Sequence, residues 1–183
     1  MKTMSSKKVW LVLGILLSVC AAVVAWFFHK KKYATSESGE NFPTSGGGEI
    51  PTKAIGYRIN NPLNIRYSTA NNWQGQQGQQ SGFCVFDTPE NGIRAAMKIL
   101  KSYRLKGVVT IADIISRWAP PTENNTQNYI DFVCNKLGAN RTDEVEQSAS
   151  DYIALLQAMC IMEIGVQPYN GEQWLKAAES AKI

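Results

Sequence analysis

The chain has little of what nucleophilic or metal chemistry needs. A single histidine, His29, stands beside an apolar run, so no Ser/His/Asp or Cys/His pairing is available to activate a nucleophile. Four cysteines are scattered, with Cys20 inside that run and Cys84, Cys134 and Cys160 further on. None stands in CxxC or Cys/His spacing, which argues against zinc and for buried thiols. No Gly-rich phosphate loop is present, and no metal or other cofactor is expected. The formal net charge of +4 is not spread over the chain. Up to Lys53 seven lysines face three glutamates, whereas from Ala54 onward twelve basic side chains balance twelve acidic ones. A groove for phosphates needs a local surplus of cations, so nucleic acid is not an expected partner.

What is present begins with residues 9–28, an uncharged apolar run flanked by Lys7, Lys8, His29, Lys30, Lys31 and Lys32. Its length suffices to cross a hydrocarbon core. It exceeds the usual signal-peptide core and ends in Trp26, Phe27 and Phe28 rather than small residues, which predicts an uncleaved anchor. Positive charge on both sides leaves the orientation open. Residues 33–52 are rich in Ser, Gly, Thr and Pro and read as a tether. The expected organisation is a basic N-terminus (1–8), a transmembrane anchor (9–28), a linker (29–53) and a folded domain (54–183). A lipid bilayer is then one partner.

Within the domain, the Asn-rich segment 57–67 reads as a loop, and the Gly/Gln-rich WQGQQGQQSG as an exposed turn or short hairpin leading to a brief strand at 83–86. A helix opens at Thr88, with Pro89 in the first helical position and Glu90 in the first turn. Its apolar stripe is Ile93, Ala96, Met97, Leu100 and Tyr103. Thr110 and Asp113 form a capping-box pattern before Ile114, Ile115 and Trp118, and Pro120 and Pro121 stop that helix. Three more are expected at 126–137 before Gly138, at 148–163 before Gly165, and at 171–181. The fold class is therefore mainly α with a short β-hairpin, preceded by one transmembrane helix.

In the helix at 148–163, Tyr152, Leu155, Leu156, Met159 and Cys160 form the apolar stripe, and Glu163 lies on the same face three turns beyond Tyr152. Burying an acid without a partner is costly, and the last helical turn presents partial negative charge. Both effects favour the protonated form, the property a general acid needs near neutral pH. The same pattern also suits a structural glutamate that accepts hydrogen bonds from loop amides. Glu90, at a helix N-terminus, is the alternative carboxylate and fits a dipole-complementing role. Asp87 and Asp151 read as turn or capping residues.

The segments NNPLNIR (60–66), NNWQG (71–75), FCVFDTPENGIRA (83–95) and IISRWAPPTENNTQNYI (114–130) resemble the virion-associated lysis proteins of prophages and membrane-containing phages, relatives of the lytic enzyme of enveloped double-stranded RNA phages. The resemblance covers nearly all of 55–174. It implies a lysozyme-like fold acting on peptidoglycan. A second likeness lies in segment order. NNPLNIR and FCVFDTPE follow the order of bacterial autolysin-type glucosaminidases, whose catalytic Glu ends a preceding helix. Here AMCIMEIG (158–165), followed by Gln167, Pro168 and Tyr169, is similar to the catalytic helix of soluble lytic transglycosylases but comes last, which suggests a circular permutation. Ile164 stands where those enzymes carry Ser, and Glu49 in the Gly-rich linker is a second acid near NNPLNIR.

The resemblance implies cleavage of the MurNAc–GlcNAc bond by a lytic transglycosylase or muramidase, with Glu163 as general acid/base. Asn60, Asn61 and Asn64 would line the cleft, and Trp118 and Tyr169 would stack on sugars unless they are core aromatics. Arg66 and Arg94 fit loop support better. The expected setting is a single-pass membrane protein of a virion or host inner membrane, its domain facing the periplasm, for local wall penetration or lysis. Crosslink endopeptidase, wall-binding module and virion structural protein are the alternatives.

Overall fold

The computed structural model describes residues 52–122 and 125–183 of the chain. Six helices and one hairpin make up these residues: α1 (Ile55–Arg58), β1 (Gln76–Gln80), β2 (Phe83–Phe86), α2 (Pro89–Arg104), α3 (Ile111–Trp118), α4 (Thr126–Leu137), α5 (Ala149–Ile164) and α6 (Gly171–Ala181). Five of the helices carry a side-chain N-cap, and those at Thr88 and Thr110 were expected from the sequence. Thr88 accepts from the Asn91 N–H, Thr110 from Asp113, Asn125 from Asn128 and Ser148 from Asp151. Asn170 and Gln173 close a reciprocal capping box at α6. Each cap satisfies an N–H that the first helical turn leaves without a partner. The short α1 was not foreseen, because four residues are too few to show a helical period.

α5 is the centre of the domain. It buries Tyr152, Ile153, Leu155, Leu156, Ala158, Met159, Cys160 and Ile164, so its apolar residues run nearly all round. A helix of that kind must be enclosed by others, and α1, α2, α4 and α6 all pack on it. α2 also packs along α6, and α4 joins α3 to α5. Trp174 of α6 is fully enclosed in this core, where a side chain of its size contributes a few kcal/mol of hydrophobic stabilisation, on the order of 3 kcal/mol. Cys84, Cys134 and Cys160 are buried free thiols.

The hairpin pairs Gln80 with Phe83 and Gln79 with Cys84 across a turn in which Ser81 and Gly82 both have positive φ, the geometry that matches strand twist. On its other side β2 carries the loop 59–66: Cys84 N–H donates to the Ile65 carbonyl at 2.9 Å and Phe86 N–H to the Ile59 carbonyl at 3.0 Å. Gly92 of α2 presses on this loop. A Cβ at that position would stand 2.1 Å from the Asn60 carbonyl oxygen, a backbone atom that cannot swing aside. Gly92→Ala is therefore expected to destabilise the domain by about 2 kcal/mol, the usual scale of overpacking. A urea midpoint within error of the parent would show that the loop yields freely.

One correction concerns the membrane. The expected anchor, residues 9–28, and Glu49 lie outside the described residues. Among the described residues no helix is long and apolar enough to cross a membrane. The longest, α2 and α5, have 16 residues each, short of the ~20 a bilayer requires. The fold class is accordingly a mainly helical domain with a two-stranded hairpin. The transmembrane helix, and the single-pass localisation that rested on it, have no support in the structure.

Candidate active site around Glu163

Glu163 sits in the last turn of α5, just before Gly165, whose φ of 88° ends the helix in a left-handed cap. The carboxylate is partly buried and held by three donors from three other segments. Trp118 Nε1, at the end of α3, donates to Oε1 at 3.2 Å. The Tyr129 hydroxyl, on α4, donates to the same oxygen at 3.0 Å. Asn64 Nδ2, from the loop after α1, donates to Oε2 at 2.9 Å and to the Glu163 carbonyl at 3.1 Å. Burial holds the carboxyl above the usual carboxylate range. The hydrogen bonds from Asn64, Tyr129 and Trp118 and the positive charge of Arg66 pull the other way and do not overcome it.

The carboxylate opens on a cleft of about 410 Å³ walled by Asn64, Arg66, Phe83, Tyr103 and Trp118. Arg66 lies over the Phe83 ring, 5.7 Å from its centroid. No other carboxylate lines this cleft among the described residues. Nor, among them, does any group of three His, Cys, Asp or Glu side chains come together to hold a metal ion.

The expected site residues divide into two sets. Asn64 and Trp118 meet Glu163, but Trp118 spends its indole N–H on the carboxylate, so it orients the acid as well as forming a wall. Asn60 and Asn61 do not line the cleft, and the expectation that they line it beside Asn64 is corrected. Asn61 is fully buried, its Nδ2 donating to the Ile65 and Cys84 carbonyls at 2.9 Å each while its Oδ1 accepts from the Ile65 N–H at 2.8 Å. Asn60 Nδ2 donates to the Phe86 and Asp87 carbonyls, both at 3.0 Å. Asn60 and Asn64 also adopt positive φ, of 54° and 47°, which asparagine tolerates better than most residues.

Tyr169 is likewise corrected. It is buried, packs edge-on to Trp174 and beside Tyr57, and borders a different cavity from the Glu163 cleft. Glu90 lies in the first turn of α2, as expected, and accepts from Gln173 Nε2 at 3.1 Å. Arg94 supports the end of α6 through the Ser180 carbonyl.

Tyr129 was not singled out in the sequence. The signal was its place on the buried face of α4, where an enclosed tyrosine hydroxyl calls for a partner. Because its hydrogen bond lowers the Glu163 pKa, Tyr129→Phe should raise it further. Any activity that needs the protonated acid would then persist to higher pH, with a loss of about tenfold on the plateau from one missing hydrogen bond of about 1.4 kcal/mol. An unmoved alkaline limb in the pH–rate profile would show that Glu163 is not the titrating acid.

No protein-family model matches the chain. It is similar to Protein P5 of Pseudoalteromonas phage PM2, with 41% identity over 143 residues, a span covering 75% of this chain and 86% of that protein. At that identity and coverage, the chain belongs to the family of Protein P5 of phage PM2.

Proposed function

We propose that the domain cleaves the glycan strand of peptidoglycan between N-acetylmuramic acid and N-acetylglucosamine, with Glu163 as its one general acid/base, to open the host wall locally during the phage cycle. The observation that carries this reading is a carboxyl held protonatable by burial, fixed by three neutral donors, and facing an open cleft. Oε1 already takes hydrogen bonds from Trp118 and Tyr129, so the proton resides on Oε2, which keeps one lone pair for Asn64. From Oε2 it passes to the glycosidic oxygen as the bond breaks. The carboxylate left behind is steadied by the same three donors, then takes a proton from the attacking hydroxyl.

Glycosidases with two carboxylates hold the second roughly 5–10 Å from the first. The described walls of this cleft carry none, which favours attack by the sugar's own 6-hydroxyl and a 1,6-anhydro product. The meeting of Glu163, late in the chain, with Asn64, early in the domain, also fits the circular permutation inferred from segment order.

The test is mass spectrometry of sacculi digested by the full chain. Anhydro-muramyl ends support the proposal in full, and reducing ends support glycan cleavage with water as the nucleophile. New free peptide ends would replace it with endopeptidase action. Undigested sacculi that pellet the protein would replace it with a wall-binding role.

A further inference from the structure

A second cavity, of about 490 Å³, lies between the Asn72–Trp73–Gln74 loop and the Arg94 and Lys98 side chains of α2. Its chain neighbours belong to the Glu163 cleft: Asn71 and Ile99 line the cleft, whereas Asn72 and Lys98 line this cavity. The two spaces therefore adjoin along one loop and one helix.

The cavity is cationic without a counter-charge. Arg94, Lys98 and Lys101 follow one another along α2, and Lys182 joins them from the end of α6. Burial, then the positive charges of Lys101, Arg94 and Lys182, hold the Lys98 ammonium below the usual lysine value. Two of these cations have a structural reason to be there. Arg94 Nε donates to the Ser180 carbonyl and Lys101 Nζ to the Lys182 carbonyl, both at 3.1 Å, where the carbonyl end of α6 attracts positive charge. Lys98, between them, has no hydrogen-bond or ion-pair partner among the described residues. No acidic side chain lines the cavity. Like charges gathered without compensation cost stability, and a bound anion relieves that cost.

We propose that this cavity takes carboxylates of the peptide stem that hangs from the glycan, with Lys98 as the principal cation and Arg94 and Asn72 as further donors. This rests on the reading of the Glu163 cleft as a glycan site. A strand lying in that cleft carries an acidic peptide on every second sugar, and the adjoining cavity is where such a branch reaches cationic donors. The partly buried Trp73 indole forms an apolar wall for the stem's aliphatic carbons.

The experiment titrates full-chain Glu163→Gln with a disaccharide–tetrapeptide muropeptide and with the same compound after conversion of its carboxyls to amides. The native muropeptide is expected to bind about tenfold more tightly, the equivalent of 1.4 kcal/mol. Added Lys98→Gln should erase that difference without lowering the melting temperature. Equal affinities in the first comparison, or a difference that survives Lys98→Gln, overturn the stem site. The two readings fail separately. Glycan cleavage of sacculi with no effect of amidation defeats the stem site alone, and a Lys98-dependent preference without glycan cleavage defeats the catalytic proposal alone.

Discussion

Glu163→Gln is expected to abolish clearing of peptidoglycan gels, with kcat/KM reduced by about 10²–10⁴-fold, the range for loss of a positioned general acid/base. Glutamine keeps an oxygen for Trp118 and Tyr129 but has no proton to give to a leaving group. Glu90→Gln, which alters a contact with Gln173 outside the Glu163 cleft, should clear normally. A stability measurement supports the same assignment. Because the folded-state pKa of Glu163 is raised, its contribution to stability is fully present below the unfolded value near 4.5. That contribution is lost as pH rises through the folded value. Glutamine has no such dependence. The difference in melting temperature between variant and parent must therefore move in the variant's favour as pH rises out of the acid range, and then level off. A variant with a tenth or more of parental activity, or a pH-independent stability difference, would remove Glu163 from the role proposed.

Asn61→Ala is expected to cost the fold about 3–5 kcal/mol. The side chain is fully enclosed and makes three hydrogen bonds to backbone, tying the loop 59–66 to β2. Removal leaves the Ile65 N–H and the Cys84 carbonyl without a partner where water cannot reach, while the Ile65 carbonyl keeps the Cys84 N–H. Each unsatisfied buried group costs about 1–3 kcal/mol. A loss of this size is a large part of the 5–15 kcal/mol typical of a domain. Since Asn64 lies on the same loop, any residual activity should fall with the folded fraction. Asn71→Ala, on the exposed part of the cleft, serves as the control and should leave stability within about 0.5 kcal/mol of the parent. A urea-derived cost below about 1 kcal/mol for Asn61→Ala would mean the loop finds other partners.

Much of the architecture was legible because it is written in local chemistry. Thr88 before Pro89 and the glycines at 138 and 165 each act on backbone within a few residues, so the start of α2 and the ends of α4 and α5 followed from neighbours alone. The register of α5 pointed to Glu163 for the same reason: a helix repeats on one face whatever packs against it. The asparagines were misjudged because their partners are distant in the chain. A polar loop residue facing solvent and one serving hidden carbonyls have the same composition. Asn60 and Asn61 meet Phe86, Asp87 and Cys84 only after β2 has folded against the loop. Tyr129 escaped notice by the same logic, since its significance lies in α5.

The carboxylate of Glu163 is gripped by Asn64, Trp118 and Tyr129, which belong to three stretches that touch nowhere else on its two oxygens. No contiguous fragment of the domain contains all four groups without also containing α2, α3 and α4. Any activity that depends on Glu163 should thus be lost at the same denaturant concentration as the folded state. A chain still being synthesised cannot assemble the three-donor grip on Glu163 until α5 has been made and has docked onto the segments that precede it.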